Sequence, residues 1–361
     1  MENGLMKFIH TGDIHWGMCP DADKPWGRER AQAIKDTFRL IVDKAREMEA
    51  DCLFISGDLF HRQPLVRDLK EVNYLFSTIP SVRVVIIAGN HDRIRANSAL
   101  LSFTWSPNVT WLMEDSLTSV YFEDINTEVY GFSYHTTEIK EPLLENIQVP
   151  LSSRIQILLA HGGDAAHLPI NFSSLELSPF SYVALGHIHK PRVVAEKKMA
   201  FCGSPEPLDI TETGPHGFFT GEINPVTKKV SQLAFVPVSQ IQYISLSVNV
   251  SKDTTNMELS SRLEREIADR GEKNIYRFRI KGMRDPDIEF DLSHLSSRYR
   301  ICEIIDDSEP QYDFSALFSE HPSDMIGFFI QTLQKENMSP VEKKALYYGV
   351  NALLHTTDER S

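Results

Sequence analysis

Five times along this chain an apolar run of strand length stops at a glycine or alanine beside a carboxylate, an amide or an imidazole. The runs end in Gly12-Asp13-Ile14-His15, Gly57-Asp58, Gly89-Asn90-His91-Asp92, Ala160-His161-Gly162 and Gly186-His187-Ile188-His189. A short, nearly continuous apolar run reads as a strand buried on both faces, the pattern of a parallel sheet covered by other layers. Polar groups at the ends of such strands gather along one rim, which is where open α/β sheets bind ligands.

The intervening segments supply the covering layers. Ala31, Ile34, Phe38, Ile41, Ala45 and Met48 recur three or four apart and predict a helix over 28–49 with its apolar stripe on the sheet. A second helix is predicted over 65–77, giving β-α-β-α-β alternation and an α/β layered domain with parallel pairings. From 109 to 132 short β-branched and aromatic runs predict a second, more antiparallel sheet, and 138–150 reads as a loop or irregular helix. With a strand over 217–223, this first domain is expected to occupy 1–237. A new β-α-β unit follows, with strands over 241–250 and 275–280 around a helix over 257–270 and a further strand over 301–305; it predicts a small α/β capping domain over 238–308. The last segment, 309–361, carries Phe314, Leu317, Ile326, Phe329, Ile330, Leu346 and Val350 in helical spacing. Ser339-Pro340-Val341-Glu342 is a capping box with proline in the first turn, so the final helix should begin there.

Composition narrows the class. The 361 residues contain no stretch near ~18 uninterrupted apolar residues, so no membrane span is expected. The start of the chain runs into the first strand without the pattern of a signal peptide, and Cys19, Cys52, Cys202 and Cys302 stand far apart without a Cys-x-x-Cys. Both features fit a cytoplasmic protein with reduced thiols. A formal net charge of -13 repels nucleic acid at long range and argues against a free-standing polyanion binder. Yet Arg62, Arg93, Arg95, Lys190, Arg192, Lys197 and Lys198 all follow the polar strand ends, where they can form a phosphate-binding mouth.

These residue types suit two metal ions. Hydrolysing a phosphodiester requires neutralising the non-bridging oxygens, generating a hydroxide and stabilising the leaving alkoxide, and two divalent ions about 3.5–4 Å apart do all three. Two cations that close repel each other, so an anion must lie between them, and Asp58 is the natural bridge. Asp13, His15 and His189 can complete one shell; Asn90, His161 and His187 can complete the other. Mixed imidazole, carboxylate and amide ligands favour manganese, iron or zinc over magnesium or calcium. His91, next to a ligand on a strand-to-loop turn, can point elsewhere and act as general acid, with Asp92 holding its ring tautomer. His61, Arg62, Arg93 and Lys190 are candidate substrate contacts. His10, inside an apolar strand, reads as a buried, hydrogen-bonded histidine, and His135, His167 and His216 as incidental loop residues.

Taken in order, Asp13-x-His15, Gly57-Asp58, Gly89-Asn90-His91-Asp92, His161 and Gly186-His187-x-His189 resemble the five blocks of the calcineurin-like metallophosphoesterase superfamily. Gly57-Asp58-Leu59-Phe60-His61, the Gly203-Ser204-Pro205-Glu206 segment and the appended β-α-β unit resemble, more narrowly, its DNA-repair exonuclease branch, the SbcD nuclease subunit and YhaO-like relatives. The resemblance implies an α/β fold: an αββα metallophosphoesterase sandwich with a small α/β capping domain and a C-terminal helical element. It implies a dimanganese site built from the ligand sets above, with His91 as the proton-donating histidine. It further implies hydrolysis of DNA strands in repair, by exonuclease and possible endonuclease action. The implied partners are a second copy, in a homodimer through helices near the second and third blocks, and an SMC-like (SbcC-like) ATPase docked on 309–361. Such an ATPase would bring the DNA affinity that an acidic nuclease subunit lacks.

Two other readings compete. A phosphodiesterase of small (cyclic) nucleotides or a phosphomonoesterase would use the same chemistry, but it needs neither the appended domains nor the flanking basic residues. A non-catalytic scaffold that tethers DNA ends would not need every ligand position filled.

Overall fold

The computed structural model describes residues 4–145, 147, 149–196 and 198–358, so Lys197 lies outside the described residues. The chain divides into two compact units, Met1–Ile244 and Ser245–Ser361.

In the first unit the elements run β1 (Met6–Thr11), α1 (Gly27–Glu47), β2 (Cys52–Ser56), α2 (Val66–Ser77), β3 (Arg83–Ile87), α3 (Ala99–Ser102) and β4 (Val109–Trp111). They continue with β5 (Thr118–Phe122), β6 (Thr127–Gly131), β7 (Ile155–His161), α4 (Phe172–Leu177), β8 (Tyr182–Gly186), β9 (Arg192–Val194), β10 (Met199–Phe201), β11 (Gly217–Ile223) and β12 (Val230–Pro237). Two six-stranded sheets result, ordered β12-β11-β1-β2-β3-β4 and β5-β6-β7-β8-β10-β9. β1 to β4 pair in parallel in the first sheet, and β6, β7, β8 and β10 in the second.

The apolar runs are unbroken because each strand is covered twice. In β2, Cys52 and Phe54 face the layer between the sheets, while Leu53 and Ile55 face α1 and α2. In β7, Ile157 and Leu159 enter the same middle layer, while Leu158 and Ala160 pack outward with Leu168 and Leu175. Side chains alternate across a strand, so an apolar residue is required at every position and not at every second one. The result is an αββα sandwich. One expectation is met only in part: β5 and β6 do open a second sheet with an antiparallel pair, but that sheet is largely parallel and β4 belongs to the first. β4 joins β3 in parallel, β5 pairs antiparallel with β6, and β6 lies parallel to β7. Strand patterns reveal existence more readily than partner, and edge strands least of all.

A buried ion pair ties α1 to the segment after β10. Arg30 and Glu206 are 0% and 2% exposed, with Nη1 and Oε2 3.1 Å apart. Arg30 also donates to the Pro207 carbonyl, and Glu206 Oε1 accepts from the Thr37 hydroxyl at 2.6 Å and the Gln240 amide at 2.5 Å.

The second unit begins within β13 (Tyr243–Val250) and continues with α5 (Asn256–Arg270), β14 (Ile275–Arg284), α6 (Ser293–Arg298), β15 (Ile301–Asp306) and β16 (Glu309–Pro310). Its sheet is ordered β13-β14-β15, with β14 and β15 parallel. Then come α7 (Phe314–Glu320), α8 (Met325–Leu333) and α9 (Pro340–Asp358). The helix start read from sequence is present: Glu342 Oε2 accepts from both the amide and the hydroxyl of Ser339 at 2.8 Å. Ile326, Ile330, Leu346 and Val350 form a core between α8 and α9. Among the described residues no helix is long and apolar enough to cross a membrane.

Replacing Glu206 by Ala strands the buried Arg30 guanidinium and should cost about 3–5 kcal/mol of unfolding free energy. Urea unfolding followed by tryptophan fluorescence measures it; a loss below about 1 kcal/mol would show that the pair does not hold α1 in place.

Candidate metal centre

All five polar strand ends meet on one side of the sandwich, at the C-terminal ends of β1, β2, β3, β7 and β8. The first two loops run side by side: the amide of Asp13 donates to the Gly57 carbonyl at 3.0 Å, and that of His15 to the Asp58 carbonyl at 3.0 Å. Asp13, His15, Asp58 and His187 all adopt positive φ, at 49°, 51°, 49° and 85°. Non-glycine residues take this left-handed conformation only where the surroundings impose it, and such strain clusters at functional sites. The neighbouring glycines answer to crowding: a Cβ at Gly89 would strike the Asp58 carboxylate, and one at Gly186 the Ser56 carbonyl.

Asp58 is central. Its Oδ2 lies 3.3 Å from His161 Nε2 and 3.8 Å from His15 Nε2, and its Oδ1 accepts from the His91 amide at 2.9 Å. Asp13 Oδ1 lies 3.9 Å from His161 Nδ1 and 4.0 Å from His189 Nε2, and both its oxygens accept from the His187 amide at 3.0 Å. His15 Nε2 and His189 Nε2 are 3.2 Å apart. His161 donates from Nδ1 to the Ser56 carbonyl at 3.0 Å, which turns Nε2 toward Asp58 and toward Asn90 Oδ1 at 3.0 Å. Two groups of potential ligands around Asp13 thus lie close enough to share an ion each, Asp13, His15 and His189, and Asp13, Asp58 and His161; His15, His61 and His91, and Asp164, His167 and His187, make two more.

The electrostatics are those of a site waiting for positive charge. Asp13 and Asp58 are 0% and 1% exposed. Among the described residues their ion-pair partners are histidines, with no lysine or arginine in reach. Burial pushes the Asp13 carboxyl upward, and it pushes the His15 imidazole well below its ordinary range. Burial also opposes the charge on Asp58 and His161, but their mutual attraction outweighs it, holding Asp58 low and raising His161 to about 9. Buried carboxylates set among imidazole nitrogens, without a lysine or arginine beside them, are the donor set of a metal centre.

The other expected residues divide. His91 is partly exposed; its Nδ1 hydrogen-bonds the His61 carbonyl at 3.1 Å, and its ring stacks on that of His61 at 5.1 Å. Asp92 does not hold the His91 ring, which corrects that expectation. It is fully buried, and its two oxygens accept from the amides of Gly89 at 2.8 Å and Phe60 at 3.1 Å, stapling the second loop to the third. A carboxylate beside a histidine in sequence is turned away from it by the same loop geometry that exposes the histidine. Burial, aided by Asp58, pushes Asp92 up to about 7.

His61 Nδ1 lies 3.2 Å from His15 Nδ1. Arg62 is exposed and lines a cleft of about 290 Å³ with Trp16, Lys35 and Arg67, Arg93 donates to the Asn90 carbonyl at 3.3 Å, and Lys190 is exposed. His187 comes to the rim, but its Nε2 is taken by Asp164 at 2.8 Å, and its ring packs against that of His167 at 4.4 Å. His10 is buried between the Tyr182 hydroxyl at 2.8 Å and the Ser56 hydroxyl at 3.1 Å, as its sequence setting predicts. Two carboxylates at the site escape sequence reading. Asp164 stands in a loop three residues after His161, and Glu212 lies far from any block; neither stands directly at the end of an apolar strand.

This assembly defines a class. The chain belongs to the calcineurin-like phosphoesterase family, whose model matches residues 6–191, a span that includes every residue of the two ligand groups. It is a metal-dependent phosphoester hydrolase, and the fold implies a dinuclear divalent-metal centre that the donor set fits. The DNA double-strand break repair protein Mre11 of Methanocaldococcus jannaschii is 27% identical over 282 residues, 72% of this chain and 74% of that protein. The Mre11 protein of Archaeoglobus fulgidus is 28% identical over 57% of this chain, and the metallophosphoesterase YhaO of Bacillus subtilis 24% identical over 59%. The match spans 52% and 56% of those two relatives, about half their length.

The raised imidazole of His161 has a consequence for stability. A histidine whose folded-state pKa lies above its ordinary 6.5 stabilises the fold fully below that value and ceases to do so as pH rises through about 9. His189 is shifted the same way by Glu212, Asp13 and Asp58 against its burial. Metal-free protein should therefore lose on the order of 3 kcal/mol between about pH 6.5 and 9.5. Urea unfolding in chelator at both values measures this, and unchanged or rising stability would contradict it.

Proposed function

We propose that this chain is a two-metal nuclease that hydrolyses phosphodiester bonds at DNA ends, with manganese as the favoured ion. The observation that carries the reading is the position of Asp58, buried and within 3.8 Å of imidazole nitrogens from both sides, where a bridging ligand is needed. Asp13, His15, Asp58 and His189 would hold one ion, and Asp58, Asn90, His161 and His187 the other. When bound, the ions supply charge against the phosphoryl oxygens and activate water at neutral pH.

The chain's own residues supply orientation and a proton. His91 donates a hydrogen bond from Nδ1 to the His61 carbonyl and stacks on the His61 ring, so in the doubly protonated ring Nε2–H is the group free to protonate the leaving oxygen, which leaves the ring neutral. Asp92 contributes by fixing the loops that carry Asp58 and Asn90. His61, Arg62, Arg93 and Lys190 surround this rim and would contact the phosphate backbone, arginine by forked hydrogen bonds.

DNA as substrate is supported by the relatives named as double-strand break repair proteins and by these basic residues in an otherwise acidic chain. An SMC-like ATPase partner is supported by the second unit, whose terminal helices leave Met325, Phe328, Val341 and Tyr348 exposed beside a small core of their own. A homodimer is supported by Val66 and Tyr74, exposed on α2. The proposed division of labour is catalysis in 1–237, capping in 238–308 and partner docking in 309–361.

His91→Asn should lower manganese-dependent cleavage of linear duplex DNA by about 10²–10⁴-fold while leaving two manganese ions bound per chain by titration calorimetry. Retained cleavage would remove His91 from the acid role. A wild-type protein that splits a chromogenic phosphodiester but leaves DNA untouched would favour the small-substrate reading.

A further inference from the structure

Two carboxylates that the reaction itself does not use sit behind the two histidines of the last block. Glu212 Oε1 lies 2.6 Å from Nδ1 of His189. Its other oxygen accepts from the Leu208 amide at 2.8 Å and the Ser204 hydroxyl at 3.3 Å, so the carboxylate is fixed before it meets the ring. Asp164 Oδ2 lies 2.8 Å from Nε2 of His187, and its Oδ1 accepts from the amides of Ala166 and His167 at 2.8 Å. Asp164 therefore also has its orientation set by main-chain donors.

An ionised carboxylate only accepts hydrogen bonds, so the ring nitrogen facing it must carry the proton. In a neutral imidazole the opposite nitrogen then holds the lone pair. For His189 that nitrogen is Nε2, which lies 3.2 Å from His15 Nε2 and 4.0 Å from Asp13 Oδ1, inside the first ligand group. For His187 the nitrogen left over is Nδ1. The two histidines are two positions apart, yet their carboxylates grip opposite ring nitrogens.

We propose that Glu212 and Asp164 are positioning residues that impose opposite tautomers on this pair, so that His189 offers Nε2 and His187 offers Nδ1 to divalent cations. The proposal rests on the reading of both histidines as metal ligands. It adds two residues to the centre and a reason for the pair's spacing: a shared loop presents two rings by different edges. Partners that fix a ligand histidine from behind are worth about 10–100-fold in metal affinity.

The test starts with the metal-free wild-type protein, labelled with ¹⁵N in its imidazoles. Long-range proton–nitrogen spectra at a pH where both rings are neutral should show His189 protonated on Nδ1 and His187 on Nε2. The same tautomer on both rings overturns the proposal without any substitution being needed. In Glu212→Gln the side-chain amide can donate to Nδ1, so His189 should shift toward the Nε2-protonated form while His187 stays as it was. Manganese titration should then show one of two ions weakened by about 10–100-fold. Asp164→Asn should weaken one ion and change His187 alone. Unchanged tautomers and unchanged manganese affinity in folded Glu212→Gln protein would overturn the assignment of Glu212. A wild-type chain that fails to hold two manganese ions would instead defeat the proposed function, and the metal-free spectra would still decide the tautomers.

Discussion

The structure turns on two carboxylates, Asp13 and Asp58, held out of water with no lysine or arginine in reach among the described residues. An isolated buried charge is costly, and proteins that tolerate one do so because something else compensates it. Here imidazoles provide part of the compensation, and they press their ring nitrogens together in doing so, His15 Nε2 and His189 Nε2 lying 3.2 Å apart. Divalent cations resolve both problems together. The same requirement explains the positive φ at Asp13, His15, Asp58 and His187, since side chains from loops this tight reach a common centre only from strained backbone.

The sandwich makes that arrangement affordable. Parallel strands from both sheets end on the same side, so residues remote in sequence arrive together without long loops of their own. Rigidity comes from beneath: Ser56 accepts from His161 through its carbonyl and bonds His10 through its hydroxyl, and His10 in turn bonds Tyr182. Burial pushes the His10 imidazole down to about 3, so it stays neutral and acts as a strut. Farther away, the Arg30–Glu206 pair fixes α1 to the segment that leads on to Glu212. Placement of the centre and stability of the layer around it therefore depend on overlapping parts of the chain.

Asp92 and His187 illustrate how neighbours in sequence part company in space. Asp92 follows His91 but is spent on the amides of Gly89 and Phe60, while His91 is held by a carbonyl from the second loop. His187 and His189 share a loop, yet one is backed by Asp164 and the other by Glu212. Adjacency says which loop a residue belongs to. Which atom it presents depends on the backbone angles and on the donors that happen to face it.

The sequence by itself determined the fold class and the set of residues delivered to the rim, because both follow from local pattern. Runs such as Leu53-Phe54-Ile55 are apolar at consecutive positions only if covered on both faces, and a polar residue directly after such a run has nowhere to go but the strand end. The amphipathic stripe of α1 and the capping box of α9 were legible for the same reason. Tertiary structure alone decided which sheet β4 would join, where Asp92 would point, and that Asp164 and Glu212 would stand beside His187 and His189. Those outcomes depend on contacts between segments far apart in the chain, and no local periodicity records them.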